Sequence, residues 1–178
     1  MKKFFIHLLY SGIIVTCFAA RSQDITFAST PNITDPISLL AITNNEASGK
    51  PLAKVNAKVS HLFLKYYKNA ENVKWYRNGN GYLAIFDWAG VKTHVSYGKD
   101  GYWYYDIRFG TEKDLPAAER KLIKSNYVDY AIGRAAEVNL GNNQQAWIVN
   151  VEDADNLVLV RIIDRRLDEV ARYATHHP

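Results

Sequence analysis

The stretch from Val73 to Phe109 constrains this chain more than any other part of it. Aromatic and β-branched residues fill it, and turn signals cut it at Asn78-Gly79-Asn80-Gly81, Ala89-Gly90 and Lys99-Asp100-Gly101. Runs of this composition between glycine-bearing turns predict four consecutive antiparallel strands. A helix is expected just before them. Val55, Val59, Leu62, Phe63 and Tyr66 fall at spacings of three and four, and Lys54, Lys58, Lys65 and Lys68 lie mostly off that stripe. Asn69 to Asn72 ends the helix, and strand character begins at Val73.

The same order then recurs. Asp114 suits an N-cap and Pro116 a first helical turn, with Leu115, Ala118, Leu122 and Ile123 forming an apolar side. Strands are expected over 131–140, 145–151 and 157–163, with a short last one over 169–174. Leu62 and Leu122 stand 60 positions apart, and Val73 and Ile132 stand 59 apart. Tyr82–Trp88 answers Ala146–Asp153, and Val91–Tyr97 answers Leu157–Ile163. A period this long is not a solenoid repeat. It predicts an α+β fold: a duplicated helix–four-strand unit, subunits 51–110 and 114–175, with both helices packed on one face of a continuous antiparallel sheet and the other face open.

The turns assign the faces. A two-residue turn at Ala89-Gly90 sets Phe86 against Thr93, Ala84 against Val95 and Tyr82 against Tyr97. A three-residue loop at Lys99-Asp100-Gly101, with glycine in the bulge position, sets Tyr97 against Trp103, Val95 against Tyr105 and Thr93 against Ile107. One face then holds Val73, Trp75, Tyr82, Ala84, Phe86, Val95, Tyr97, Trp103, Tyr105, Ile107 and Phe109, and should meet the helices. The other holds Leu83, Ile85, Asp87, Lys92, His94, Ser96, Tyr102, Tyr104, Asp106 and Arg108, and should meet water. A one-residue error in either turn would swap every face beyond it.

The N-terminus sets the compartment. Lys2 and Lys3 precede a mostly apolar run from Phe4 to Phe18, and small residues lead into Ser22-Gln23-Asp24, as in a secretory signal peptide over 1–22 cleaved near Ala20–Ser22. The run is shorter than the roughly 20 residues a spanning helix needs. Lipidation at Cys17 is the rival, although Thr16 suits a lipobox poorly. Cys17 is the only cysteine, so the mature chain would carry no disulfide. Lys2, Lys3 and Arg21 are three of the 22 basic residues, which leaves 19 against 18 acidic and a mature charge of +1. That balance calls for neither nucleic acid nor an anionic membrane. Residues 23–50, rich in Thr, Asn, Ser and Pro, read as a flexible leader with one apolar patch from Ile37 to Ile42. The folded domain spans 51–175, and the expected location is periplasmic or secreted.

Several motifs together resemble a known family. Asn69-Ala70-Glu71-Asn72-Val73-Lys74-Trp75, Tyr82-x-Ala84-x-Phe86, Gly90, Val95-x-Tyr97-x-x-Asp100-Gly101-x-Trp103 and Leu115-Pro116-Ala117-Ala118 resemble the PepSY-like domains with the beta-lactamase-inhibitor-protein fold, common among exported Bacteroidetes proteins. The resemblance covers roughly Val55 to Ala174. It departs at Arg165-Arg166-Leu167, where Asp-Gly would be expected, which places the last hairpin in question. It implies helices on one side of an antiparallel sheet and a concave opposite side. Most members have no assigned activity, and the best-known protein of the fold binds another protein through that side.

The candidate binding residues are Leu83, Ile85, Lys92, His94, Tyr102, Tyr104, Asp106 and Arg108, an amphipathic patch of the composition that protein interfaces favour. Aromatic residues also suit strands for structural reasons alone. The favoured function is a non-enzymatic exported module that binds an unknown protein or cell-envelope ligand, an envelope hydrolase being the partner class the resemblance implies. A hydrolase acting through His94, Asp106 and Ser96 is the alternative. It is disfavoured because Ser96 and His94, two apart on one strand, stand about 7 Å apart. A passive envelope component is the third. No cofactor is expected, and His61, His176 and His177 lack the spacing of a metal site.

Overall fold

The structure, a computed structural model, describes residues 50–175. The signal segment 1–22 with Cys17, leader residues 23–49, and His176 and His177 lie outside the described residues. Among the described residues two helices, α1 (Ala57–Tyr66) and α2 (Ala117–Asn126), accompany eight strands. These are β1 (Glu71–Asn78), β2 (Gly81–Trp88), β3 (Val91–Gly98), β4 (Trp103–Thr111), β5 (Ala131–Leu140), β6 (Gln145–Glu152), β7 (Asn156–Ile163) and β8 (Arg166–Ala174). All eight form one antiparallel sheet whose spatial order is their chain order.

The duplication is plain in the helices. Each is ten residues long, and the two start 60 positions apart, at Ala57 and Ala117. Each ends on a tyrosine whose N–H returns to the carbonyl four residues back, Tyr67 to Phe63 at 2.8 Å and Tyr127 to Ile123 at 2.9 Å. Asn56 caps α1 by accepting from the Lys58 N–H. Contrary to the expectation from sequence, Asp114 does not cap α2. It accepts from the Thr111 N–H at 2.8 Å and closes a short 3-10 turn over Glu112–Asp114, leaving Pro116 as the N-cap.

Both helices lie on one face. Val59, Phe63 and Tyr67 of α1 pack on Ala84, Phe86, Val95 and Tyr97. Ile123 of α2, with Leu115 before it, packs on Ala135, Trp147, Val149, Val151, Val158, Val160 and Ile162. Tyr66 was expected on the apolar stripe but is 61% exposed, and its neighbour Tyr67 takes the core position. Val55 precedes the helix.

The β2–β3 register is the expected one, with Phe86 opposite Thr93, Ala84 opposite Val95 and Tyr82 opposite Tyr97. The β3–β4 register is not. Tyr97 does oppose Trp103, but Ser96 then opposes Tyr105, His94 opposes Ile107, Val95 opposes Asp106 and Thr93 opposes Arg108. Tyr104 is an extra residue, a bulge that turns the rest of β4 over. Tyr105, Ile107 and Phe109 therefore leave the helix side, and Asp106 and Arg108 join it. The last hairpin forms despite the missing glycine: Ile163 pairs with Arg166 across a turn in which Asp164 and Arg165 hold φ of 49° and 62°. Strand β8 is longer than expected and carries its own bulge, opposite Leu159 and Val160.

Candidate binding face

The face opposite α1 and α2 divides at β4. On the β1–β3 side it carries Lys74, Tyr76, Leu83, Ile85, Asp87, Lys92, His94 and Ser96, as the pairing of Ile85 with Lys74 and His94 requires. A depression of about 350 Å³ opens there, lined by Asn72, Lys74, Tyr76, Ile85, Asp87, Lys92 and His94 together with Phe86. Of the eight residues expected to bind, this depression gathers three: Ile85, Lys92 and His94. It adds Lys74 and Tyr76, which the sequence did not yield because β1 was carried into the face assignment only through Val73 and Trp75 on the helix side. Their alternation with Val73 and Trp75 was the available signal.

Asn72 is fixed in the rim. Its side-chain amide donates to Asp87 Oδ2 at 2.7 Å, which engages the one acid of the depression and leaves the ammonium groups of Lys74 and Lys92 as its dominant charges. His94 is 4% exposed and packs its ring edge-on against Phe109, with centroids 4.7 Å apart. Burial, and then the nearby charge of Lys92, lowers its pKa to about 4. The imidazole is thus neutral at neutral pH. Its Nε2 is buried with no hydrogen-bond partner among the described residues.

The other expected residues are elsewhere. Leu83 is on this face but only 2% exposed, so it is not a water-facing contact. Ser96, also expected to meet water, is buried: it accepts from Asn78 Nδ2 at 3.1 Å and hydrogen-bonds the Tyr105 hydroxyl. Tyr102, 49% exposed in the β3–β4 connection, stands 5.2 Å from the Tyr104 ring.

Asp106 and Arg108 are on the helix side. Asp106 accepts from the Tyr67 hydroxyl at 3.2 Å and from Asn139 Nδ2 at 3.0 Å, and burial raises its carboxyl pKa against the lowering effect of those bonds. Arg108 pairs with Glu137 at 3.4 Å and lies over the Trp88 ring at 5.6 Å. Gln145 donates to both Glu137 and Asn139, so a polar seam runs between the two helix-covered regions. The His94–Asp106 relay is thereby overturned, since the two side chains point to opposite faces of the sheet. Among the described residues no cluster of three or more His, Cys, Asp or Glu is placed to hold a metal, and no helix is long and apolar enough to cross a membrane.

No protein-family model matches the chain. No curated protein sequence matches it. Solved structures do. A BLIP-like protein from Bacteroides fragilis superposes with a TM-score of 0.58 at 18% identity, over 71% of this chain and 95% of that one. A DUF2874 family protein from Bacteroides uniformis gives 0.58 at 18% identity, over 68% and 90%. A candidate periplasmic protein from Bacteroides eggerthii gives 0.57 at 18% identity, over 66% and 90%. The two helices on one face of an eight-stranded antiparallel sheet are therefore a beta-lactamase-inhibitor-protein-like α+β fold.

Proposed function

We propose that this protein is an exported, non-catalytic binding module that recognises another protein through the β1–β3 part of the face opposite α1 and α2. One observation carries the reading: the depression that sets Lys74 and Lys92 around Ile85, Tyr76 and a neutral His94, on a face to which neither helix contributes. Two ammonium groups beside aromatic and aliphatic surface suit a partner that presents a carboxylate next to an apolar side chain. An envelope hydrolase inhibited by such contact is the finer form of the proposal. Its support is the PepSY-like resemblance of Asn69–Trp75 and Val95–Trp103, together with the BLIP-like fold. Export rests on the signal-like residues 1–22 and is in keeping with the periplasmic description of the B. eggerthii protein.

The test uses the chain from Gln23 to Pro178 as bait in envelope extract, beside K74E/K92E and a control K121E on exposed α2. A protein held by wild type and K121E but lost by K74E/K92E, with all three melting alike, supports the reading. Equal capture by all three sinks it.

A further inference from the structure

A second depression, of about 280 Å³, opens where the β5–β6 and β7–β8 turns meet the first turn of α2. Strand pairing brings the two turns together: Trp147, near the start of β6, opposes Ile162, near the end of β7. These two lining residues are buried, at 9% and 3% exposed, and form the floor. The rim is polar. Helix α2 supplies Glu119, the β5–β6 turn Asn143 and Gln144, and the β7–β8 turn Asp164 and Arg165.

Backbone strain collects at this rim. Among the described residues five non-glycines hold a left-handed backbone, and three of them line the depression: Asn143 at φ 63°, Asp164 at 49° and Arg165 at 62°. Asparagine and aspartate tolerate that region, whereas arginine does so poorly, and glycine is the unstrained choice at the second position of such a turn. A long cationic side chain thus stands where no side chain at all would be more stable, as happens at ligand sites. The rim groups are not spent on one another either. Among the described residues the side chains of Glu119, Asn143, Asp164 and Arg165 make no hydrogen bond or ion pair. Gln144 Oε1 accepts from Asn142 at 2.8 Å, which leaves the Gln144 amide hydrogens to donate. Gln145, also in the lining, gives its own to Glu137 and Asn139 and keeps Oε1 as an acceptor.

We propose that this depression binds a neutral saccharide. It is separate from the Lys74–Lys92 depression and does not depend on the partner reading. A sugar hydroxyl both donates and accepts, so adjacent hydroxyls match carboxylates, amides and a guanidinium set side by side. The C–H surface of the ring can rest on the exposed part of Trp147. Other ligand chemistries fit less well. An anion would meet two carboxylates against one guanidinium. An apolar molecule would strip water from the rim without replacing its hydrogen bonds.

The experiment titrates the ¹⁵N-labelled chain from Gln23 to Pro178 with cellobiose, maltose and chitobiose, and separately with sodium phosphate. At least one disaccharide should shift the Trp147 indole N–H and the Asn143 and Gln144 amides, with a Kd on the order of 1 mM. Arg165→Gly and Asn143→Gly remove rim groups while relaxing the backbone, so both should melt no lower than wild type. Binding should weaken about tenfold in Arg165→Gly and about threefold in Asn143→Gly. The absence of these shifts with all three disaccharides overturns the proposal. So do shifts that both substitutions leave unchanged, or that phosphate reproduces.

Discussion

The same small device occurs twice, in unlike surroundings. The tyrosine that ends each helix gives its hydroxyl to a carboxylate on the fourth strand of its unit: Tyr67 to Asp106 at 3.2 Å, and Tyr127 to Glu169 at 3.0 Å. In the first unit the fourth strand lies mid-sheet, and in the second it is the edge. Mid-sheet, burial governs: Asp106 is pushed up, and Asn139 must supply a second donor. At the edge, Arg172 grips Glu169 at 2.7 Å and lowers its pKa, while the surroundings remain solvated. Chemically similar links thus sit in unlike surroundings, because duplication placed one in the interior and one at the rim.

The comparison can be broken most forcefully in the helix cores. Phe63 of α1 meets Tyr67, Trp75 and Phe86 with ring centroids 4.9 to 5.4 Å apart, whereas α2 inserts the aliphatic Ile123. Phe63→Ala should cost about 3–5 kcal/mol in denaturant unfolding, and Ile123→Ala about 2–4. An Ile123→Ala loss clearly larger than the Phe63→Ala loss would reverse the ranking of the units.

The next largest effect is a pH dependence centred on His94 of the first unit. Unfolded, His94 takes a proton near 6.5, but in the fold it resists until about 4. Between those values the unfolded chain binds more protons, so stability falls as pH drops through that window, by about 3 kcal/mol at most. Lys92 on its own strand, Lys74 on β1 and Asp87 on β2 are the charges lining the same depression. Asp106, raised by burial, works in the opposite sense, gaining stability as pH falls. The measurement is therefore the difference between wild type and His94→Phe, which should vanish above pH 7 apart from a constant offset and grow toward pH 4. A parallel pair of curves would contradict the burial of a neutral His94.

The tyrosine links come third. Tyr67→Phe removes one of two donors to a buried carboxylate and should cost about 1–3 kcal/mol. Tyr127→Phe, at a solvated site, should cost under about 1 kcal/mol. Equal losses would mean that sheet position does not set their weight. The smallest effect is a gain. The β2–β3 turn has Gly90 at φ 77°, and the β7–β8 turn has Arg165 at φ 62°. Arg165→Gly should stabilise by about 1 kcal/mol, read as a rise in midpoint without a change in slope.

Much of this was legible from residues. The Ala89-Gly90 turn fixes the β2–β3 register, and the spacing of Leu62 and Leu122 reveals the duplication. What failed did so for local reasons. Tyr102-Trp103-Tyr104-Tyr105 is aromatic throughout, so no alternation marks Tyr104 as the residue to be skipped, and everything beyond it in β4 was assigned to the wrong side. Tyr66 and Tyr67 are chemically alike and adjacent, and only the end of α1 decides which turns inward. At the candidate site, Lys92, His94 and Ile85 were readable from one hairpin. Lys74 and Tyr76 were readable too, from their alternation with Val73 and Trp75, since β1 pairs with β2 without a shift from Lys74 to the turn after Asn78.

Because spatial order equals chain order, assembly of this sheet is dominated by short loops. Six of the seven strand pairings close through tight connections. The seventh, where Thr111 pairs with Arg134, must first bridge the segment that contains α2. Loop entropy makes that closure costlier by about 2 kcal/mol than a three-residue one. The kinetic consequence is a chain whose two hairpin arrays can form independently, with the β4–β5 seam as the slow step. Changes along Asp106, Arg108, Glu137 and Asn139 should therefore alter the folding rate, and changes at the outer hairpins mainly the unfolding rate.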